Sequence, residues 1–312
     1  MEARGSRLAI ATLGHISDLH ATRVPFFSFD ALRSKRVLGW LSWQIRRRRR
    51  YRPAVLEALI ADLRETAPDQ LAITGDLTQI ALASELREAA DWLARFGPPE
   101  RVHAIPGNHD AYSDLPRGSG WELWSAYVAG DRPAADLRGA ALDAFPSVRV
   151  RGELAIVGVC TAQPTPAFAA TGSVGEEQLA RLDGVLDQLG ARGLCRVILI
   201  HHPPVDGLTN RRRSLLDAHA LGDVLRRRGA ELVLHGHLHR TTLASLPGPD
   251  RPIPVAGVPS ASHTGPTPKR CAAYHLYQIE RARGGFAIRR RVRAWDPATR
   301  RFTARGSDES IA

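Results

Sequence analysis

The sequence predicts an α/β fold, and two observations support this. Short apolar runs rich in β-branched residues alternate with stretches whose apolar residues recur every three or four positions, which are the spacings of strands and amphipathic helices. Five of the apolar runs also end in Gly, Pro, Asp, Asn or His. In α/β sheets, ligands bind beyond the carboxyl ends of the strands, so we expect the functional site there.

The remaining elements follow the first strand in a regular order. They are an insert at 30–52, helices at 53–66, 82–96, 119–129, 175–191 and 214–228, and a hairpin at 148–160. From about residue 253 the pattern changes to short strands, and the last of these should form a hairpin that completes the second sheet. We assign residues 1–297 to one domain and expect the polar residues 298–312 to form a frayed tail.

Length and composition set limits on the protein class. The chain has 312 residues, of which 44% are hydrophobic, enough for one large core. The sequence contains no run of about 18 apolar residues, so it predicts no membrane-spanning helix. The segment before the first polar motif is shorter than a signal peptide and becomes polar too early, so we expect no signal peptide in it. Cys160, Cys195 and Cys271 lack metal-binding spacing, so we expect buried free thiols and a cytoplasmic protein.

Polar clusters follow five of the predicted strands. They are Asp18 and His20 in LGHISDLH, Asp76 in AITGDL, Asn108, His109 and Asp110 in IPGNHD, His201 and His202 in LIHHPP, and His237 and His239 in HGHLH. Gly107 allows a tight turn that a side chain would obstruct. Asp, Asn and His without Cys are ligands for hard or borderline divalent metals such as Mn, Fe, Zn or Co. The set therefore predicts a metal-dependent hydrolase.

With these motifs the chain resembles the calcineurin-like metallophosphoesterases. The His-His-Pro-Pro and Gly-His-x-His spelling is similar to the bacterial class III cyclic-nucleotide phosphodiesterase branch. The motifs run from Asp18 to His239, about three quarters of the chain. The resemblance implies a four-layer α/β/β/α sandwich with two mixed β-sheets. It also implies two divalent metal ions, for which Mn, Fe and Zn are the best candidates.

The resemblance further implies a role for each site residue. One metal would be held by Asp18, His20, Asp76 and His239, and the other by Asp76, Asn108, His201 and His237, with Asp76 bridging. His109 would stabilise the phosphate or protonate the leaving group, with its imidazole oriented by Asp110. Asn108 and His109 would contact the substrate, while His202 could contact it or pack in the core. A metal-bound hydroxide would attack a phosphodiester or phosphomonoester.

Positive charge is concentrated in the insert. The chain carries 43 Lys and Arg against 32 Asp and Glu, and residues 46–50 are five consecutive arginines. If residues 34–50 form a helix, one arc of it contains Val37, Leu38, Trp40, Leu41 and Ile45, with Trp43 at the margin. A basic helix with Trp and Leu on one face is typical of an interfacial membrane binder. A structural lid whose tryptophans pack on the domain, and an arm that binds nucleic acid, are the alternatives.

We therefore expect a dinuclear-metal-dependent phosphoric ester hydrolase. A membrane-surface phosphoesterase acting on a lipid-linked phosphate or pyrophosphate, a nuclease and a non-catalytic scaffold are the alternatives. A scaffold would be expected to lack some of the metal ligands, and every ligand position is filled here. The membrane alternative would place the protein at the periphery of the inner face of a membrane.

Overall fold

Two six-stranded sheets form the centre of the computed structural model, which describes residues 9–25, 36–45, 47–112, 120–131, 145–265 and 270–312. The strands are β1 (Ala9–Ile16), β2 (Gln70–Ile73), β3 (Val102–Ala104), β4 (Ser147–Arg151), β5 (Leu154–Gly158), β6 (Cys195–Ile200), β7 (Leu232–His235), β8 (Thr242–Leu246), β9 (Ile253–Gly257), β10 (Ala273–Ala282), β11 (Gly285–Asp296) and β12 (Arg301–Ser310). The first sheet has the order β12-β11-β10-β1-β2-β3 and the second has the order β4-β5-β6-β7-β9-β8. Each sheet contains parallel and antiparallel neighbours, so both are mixed.

Most of the predicted helices are confirmed. The helices are α1 (Arg36–Ile45), α2 (Pro53–Thr66), α3 (Ala83–Phe96), α4 (Ser125–Val128), α5 (Glu176–Ala191) and α6 (Ala218–Arg228). The last begins four residues later than residue 214, where the sequence predicts its start. Residues 211–213 form a separate 3₁₀ turn. Gly172 then donates to the carbonyl of Ser214 and accepts from the backbone of Leu216, which holds these residues extended.

Alternation along the strands of the second sheet separates the two sides of the core. In β5, Leu154 and Ile156 belong to the apolar cluster that contains the first sheet and α2 and α3. Ala155 and Val157 belong to a second cluster, together with the apolar faces of α5 and α6. Successive strand residues point to opposite faces, so each sheet packs against the other on one side and against helices on the other. The four-layer α/β/β/α sandwich is confirmed.

Two predictions for the C-terminal strands are wrong. The hairpin of β10 and β11 pairs through β10 with β1, and so extends the first sheet rather than completing the second. Residues 301–310 form β12, which pairs with β11, so residues 298–312 are not a frayed tail. The polar sequence concealed this strand because only Phe302 of β12 is buried. Ion pairs such as Arg291 with Asp308, 2.7 Å apart, join its exposed side to β11.

The insert packs on the domain through its tryptophans. Residues 30–35 and Arg46 lie outside the described residues, and the helix predicted over 34–50 is observed as α1 followed by a 3₁₀ turn at Arg47–Arg49. Trp40 and Trp43 contact an apolar cluster that includes Ile80, and Trp40 Nε1 donates to a backbone carbonyl at 3.0 Å. The apolar residues of α1 therefore do not act as one face, because the tryptophans contact the domain while Leu38, Leu41 and Ile45 are exposed.

The outward-facing residues of α1 are Leu38, Leu41 and Ile45, which are 38%, 42% and 67% exposed. Their i, i+3, i+7 spacing places them on one side of the helix. No helix in the described part of the chain is long and apolar enough to cross a membrane. The packing of the tryptophans matches the lid interpretation of the insert, and the outward-facing side chains of α1 remain available to a partner.

The burial of Phe302 gives a test of β12. Its ring lies 5.7 Å from that of Trp295 and 5.8 Å from that of Tyr274. We expect Phe302→Ala to lower the free energy of unfolding by about 3 kcal/mol, because a buried aromatic ring is replaced by a cavity. Urea denaturation is the measurement, with the exposed Thr303→Ala as control. A loss as small as that of the control would mean that the C-terminal strand is not docked in solution.

Candidate metal centre

Five parallel strands deliver the predicted ligands to one place. Asp18 follows β1, Asp76 follows β2, Asn108 follows β3, His201 follows β6 and His237 follows β7. Backbone hydrogen bonds tie the loops together, including Asp18 N to Gly75 O at 2.9 Å and Gly236 N to His201 O at 3.2 Å. The carboxyl ends of these strands, which come from both sheets, therefore converge on one buried polar site.

Two groups of side chains at this site could each hold a metal ion. The ligand atoms of Asp18, His20, Asp76 and His239 lie within 4.8 Å of one another, as do those of His201, His202 and His237. The first group is the set that the resemblance implies for one metal. The second contains two of the residues implied for the other metal, and His202 in addition.

Asp76 belongs to the first group and also faces the second. Its Oδ2 is 3.7 Å from His20 Nε2 and 3.5 Å from His201 Nε2, while its Oδ1 accepts a hydrogen bond from the backbone of His109 at 2.7 Å. The other oxygen-bearing side chain between the histidines is Asn108, whose Oδ1 lies 3.1 Å from His201 Nε2 and 2.9 Å from His237 Nδ1. The position of the Asp76 carboxylate, which faces a histidine of each group, is the one expected of a bridging carboxylate.

Backbone carbonyls fix the tautomers of three histidines. His20 Nδ1 lies 2.9 Å from Thr78 O, His201 Nδ1 lies 2.7 Å from Thr74 O, and His237 Nε2 lies 3.0 Å from Arg213 O. A carbonyl only accepts, so each of these nitrogens must donate, and in a neutral ring the other nitrogen is left with a lone pair. Those second nitrogens all face Asp76 or Asn108, which also offer lone pairs. Cations between them would satisfy every group.

A further pair of lone-pair atoms faces the first metal position. Asp18 Oδ1 is buried and has no hydrogen-bond donor among the described residues, although His239 Nε2 lies 2.9 Å away. The other ring nitrogen of His239 is 3.3 Å from the hydroxyl of Tyr51. Either a proton or a cation must hold the carboxylate and the imidazole together, and the donor set therefore fits a divalent metal.

The backbone is strained at these ligands. Nine non-glycine residues of the described chain have a positive φ, and five of them are predicted ligands. The five are Asp18, His20, Asp76, His237 and His239. The left-handed region is unfavourable for residues with a Cβ, and such strain concentrates at functional sites. The loops are therefore shaped to aim these side chains inward.

Motif glycines allow the loops to approach each other. A Cβ on Gly107 would lie 2.3 Å from Asp76 Oδ1, and one on Gly236 would lie 1.9 Å from Ser17 Oγ and 2.7 Å from Asp18 Oδ2. Both distances are far shorter than a van der Waals contact. These glycines of the GNHD and GHxH motifs are therefore required by packing against the ligands themselves.

Electrostatics at the bridge depend on what lies between the ligands. Burial alone would raise the pKa of Asp76, but the neighbouring His201, His109 and His20 lower it well below its usual value. Burial lowers the pKa of His201, but the carboxylate of Asp76 outweighs it and raises that pKa to about 9. The position between His201 and Asp76 therefore favours positive charge.

The insert brings Arg47 into the site, which the sequence analysis missed. One guanidinium nitrogen lies 3.3 Å from His20 Nε2 and 3.5 Å from His109 Nε2, and the guanidinium carbon lies 5.4 Å from the centre of the Tyr51 ring. The backbone of Arg52 donates to Ser262 O at 3.0 Å, which anchors the segment. Five identical arginines in sequence gave no signal that would distinguish this one.

The predicted role of Asp110 is wrong. Its carboxylate accepts hydrogen bonds from the backbone of Gly107 at 2.9 Å and of Thr78 at 2.9 Å, and not from the imidazole of His109. His109 Nδ1 instead donates to the carbonyl of Gln79. A carboxylate that bonds backbone N–H groups on two loops holds those loops together. The orientation of His109 therefore comes from a backbone carbonyl.

His202 joins the histidines of the second group. Strand alternation would point it away from His201, but β6 ends at Ile200, so His202 lies beyond the strand. The His202 ring lies 4.5 Å from that of His237, and its Nδ1 lies 2.7 Å from Thr161 Oγ1. It is fully buried, and its Nε2 has no hydrogen-bond partner in the described part of the chain.

Comparison with known proteins places this site in a family. The family model for calcineurin-like phosphoesterases matches residues 11–241. The chain belongs to the calcineurin-like phosphoesterase family. A probable cyclic nucleotide phosphodiesterase from Synechococcus is 26% identical over 194 residues, which cover 59% of this chain and 62% of that protein. The chain thus spans about three fifths of that relative's length.

Solved structures share the fold. A dimetal phosphatase from Danio rerio superposes with a TM-score of 0.60 at 15% identity, covering 97% of this chain and 99% of its own. A sulfate thiohydrolase from Thermus thermophilus gives 0.54 at 20% identity, covering 91% of this chain and 56% of its own. Membership of the calcineurin-like phosphoesterase family implies a dinuclear divalent metal centre, and the two ligand groups are suited to hold it.

The expected bridge through Asp76, which faces both His20 and His201, predicts the result of its substitution. Asp76→Asn removes one of the two carboxylates of the centre, so both metal positions should weaken together. We expect the metal content to fall from about two ions per chain toward one or none, measured by elemental analysis after gel filtration. The surface variant Asp183→Asn is the control. A variant that keeps both ions would exclude the bridge.

Proposed function

We propose that the protein is a metal-dependent phosphoric ester hydrolase, with a phosphodiester or phosphomonoester as substrate. The observation that carries the proposal is the pair of ligand groups that Asp76 links, with Arg47 and His109 beside them. Two divalent cations held there would lower the pKa of a water molecule and hold two oxygens of the phosphate. Asp, Asn and His without Cys suit Mn, Fe or Zn.

The charge of the centre favours an anionic substrate. Only Asp18 and Asp76 supply carboxylates to the two ligand groups, which is too little negative charge to neutralise two divalent cations. Arg47 adds a further positive charge, and the hydrogen-bonding contacts of its guanidinium are to the imidazoles of His20 and His109. A phosphate ester would meet a net positive site. Arg47 is placed to bind one of its oxygens.

His109 is positioned to act on the leaving group. Its Nδ1 donates to the carbonyl of Gln79, so its Nε2 faces the site and Arg47. Burial and then Arg47 lower the pKa of this imidazole to about 4. A phosphate bound between the two adds negative charge and raises that pKa, which allows Nε2 to hold a proton and pass it to the departing alkoxide.

A phosphodiester ranks first as substrate because the curated relative is named a probable cyclic nucleotide phosphodiesterase. A lipid-linked phosphate or pyrophosphate is the second candidate. The observation that favours it is the outward-facing aliphatic side of α1, on the segment that delivers Arg47 to the site. A soluble nucleotide would not need that apolar side.

Substitution of His109 tests the proposed chemistry. The Mn-loaded protein should hydrolyse bis-p-nitrophenyl phosphate, and His109→Ala should keep its metal content. We expect its kcat to fall by about 10²–10⁴-fold on esters with poor leaving groups, and by less on nitrophenyl esters, which need little protonation. Equal losses on both classes would assign His109 to phosphate stabilisation, and no hydrolysis by the wild type would refute the function.

Substitution of Arg47 tests the phosphate contact. A hydrogen bond to a charged group contributes about 1.5–3 kcal/mol, so Arg47→Ala should lower kcat/KM roughly 10- to 100-fold. Inhibition by inorganic phosphate should weaken in parallel, and metal content should not change. Arg48→Ala is the matched control, because that side chain is exposed and contacts Gln44. Equal kinetics for the two variants would remove Arg47 from the site.

A further inference from the structure

Exposed apolar side chains are concentrated on segments that are tied to the metal centre. Seven large hydrophobic residues are exposed in the described parts of the chain, and five of them lie on the segment that carries Arg47 or on two loops joined to each other beside His237. We call these five the docking rim: Leu38, Leu41 and Ile45 on α1, with Phe168 and Leu216 on two loops. An apolar surface with no partner of its own indicates an interaction site.

The α1 side of the docking rim is strongly basic. Leu38, Leu41 and Ile45 face outward, and the exposed Arg48, Arg49 and Arg50 follow them directly. The sequence contains no acidic residue between Ala31 and Leu56. The same segment places Arg47 3.5 Å from His109. This side therefore offers apolar side chains and arginines together, next to the substrate position.

The two loops of the docking rim repeat this combination. Phe168 and Leu216 are 78% and 63% exposed. Their loops are joined by backbone hydrogen bonds, of Ala170 N to Arg212 O at 2.8 Å and of Leu216 N to Gly172 O at 2.8 Å. The exposed arginines at 211–213 belong to the second of the joined segments, and Arg213 donates to His237 O at 3.1 Å. This loop pair is thus anchored to a metal ligand.

We propose that the docking rim binds an anionic phospholipid bilayer. Aliphatic and aromatic side chains enter the acyl boundary while arginines meet the lipid phosphates, and a bilayer offers both kinds of contact to α1 and to the loop pair. A nucleic acid would use the arginines but would leave the exposed leucines and isoleucine in water. The inference rests on the proposed function for its substrate class, which becomes a phosphate ester presented at a lipid surface.

Cosedimentation with liposomes tests docking without using catalysis. At low salt, the wild type should sediment with phosphatidylglycerol–phosphatidylcholine vesicles and not with phosphatidylcholine alone. Each arginine near an anionic surface strengthens binding by about 1 kcal/mol, roughly fivefold, so Arg48→Ser with Arg49→Ser should weaken it roughly 25-fold. The triple change Leu38→Ser, Leu41→Ser and Ile45→Ser should weaken it at least roughly tenfold.

Matched controls separate docking from general charge and hydrophobicity. Arg226→Ser with Arg227→Ser removes equal charge from the far end of α6, and Leu243→Ser removes an equally exposed leucine from β8. Both should bind like the wild type, and so should Asp76→Asn, which disables the metal centre. A protein that shows no hydrolysis but still sediments with anionic vesicles would refute the proposed function and leave the docking inference intact.

Three results would overturn the inference. The first is no sedimentation of the wild type with anionic vesicles, and the second is a loss of binding in the Arg226 and Arg227 control as large as that of the Arg48 and Arg49 variant. The third is binding to an oligonucleotide that depends on Arg48 and Arg49, with vesicle binding insensitive to the leucine changes. That outcome would identify the insert as a nucleic-acid arm.

Discussion

The buried carboxylate of Asp76 is the constraint on which the rest of the site depends. It comes from the first sheet and faces His20 of that sheet and His201 of the second at nearly equal distances. A carboxylate without water or positive partners is too costly to bury, and the imidazole nitrogens that face it from both sheets would hold the cations that compensate its charge. The backbone carbonyls of Thr74 and Thr78 then fix which imidazole nitrogen faces inward. The relative placement of the two sheets is thereby linked to the metal centre.

The location of the candidate ligands was predictable because it depends on local rules. A strand that ends in Asp, Asn or His at the carboxyl edge of a sheet fixes where its side chain lies, and Asp18, Asp76 and His237 are found there. The four-layer order came from the family resemblance, and alternation in the second sheet matches it. The sheet assignment of the last hairpin failed because nothing in the sequence of β10 specifies whether β1 or β9 will be its neighbour.

The other failures have tertiary causes. The apolar residues of α1 were expected to act together, but the surface available near Ile80 accepts the two tryptophans and leaves the aliphatic residues outside. A helical wheel cannot show which part of an apolar arc the domain will cover. Arg47 was hidden among identical neighbours, and Asp110 binds loop backbones that no sequence pattern reveals. β12 was not predicted because it lies at the edge of its sheet and buries only one of its ten residues.

The left-handed backbone of five ligands has a consequence for metal selectivity. Each such residue stores about 1–2 kcal/mol of conformational energy, which is committed when the chain folds rather than when an ion arrives. The site is consequently preorganised, and little rearrangement accompanies ion capture. A rigid cage discriminates between ions by size and coordination geometry, whereas a pliant one would follow intrinsic affinity and favour copper. In this protein the turns after the strands, as much as the donor atoms, would then decide which ion is retained.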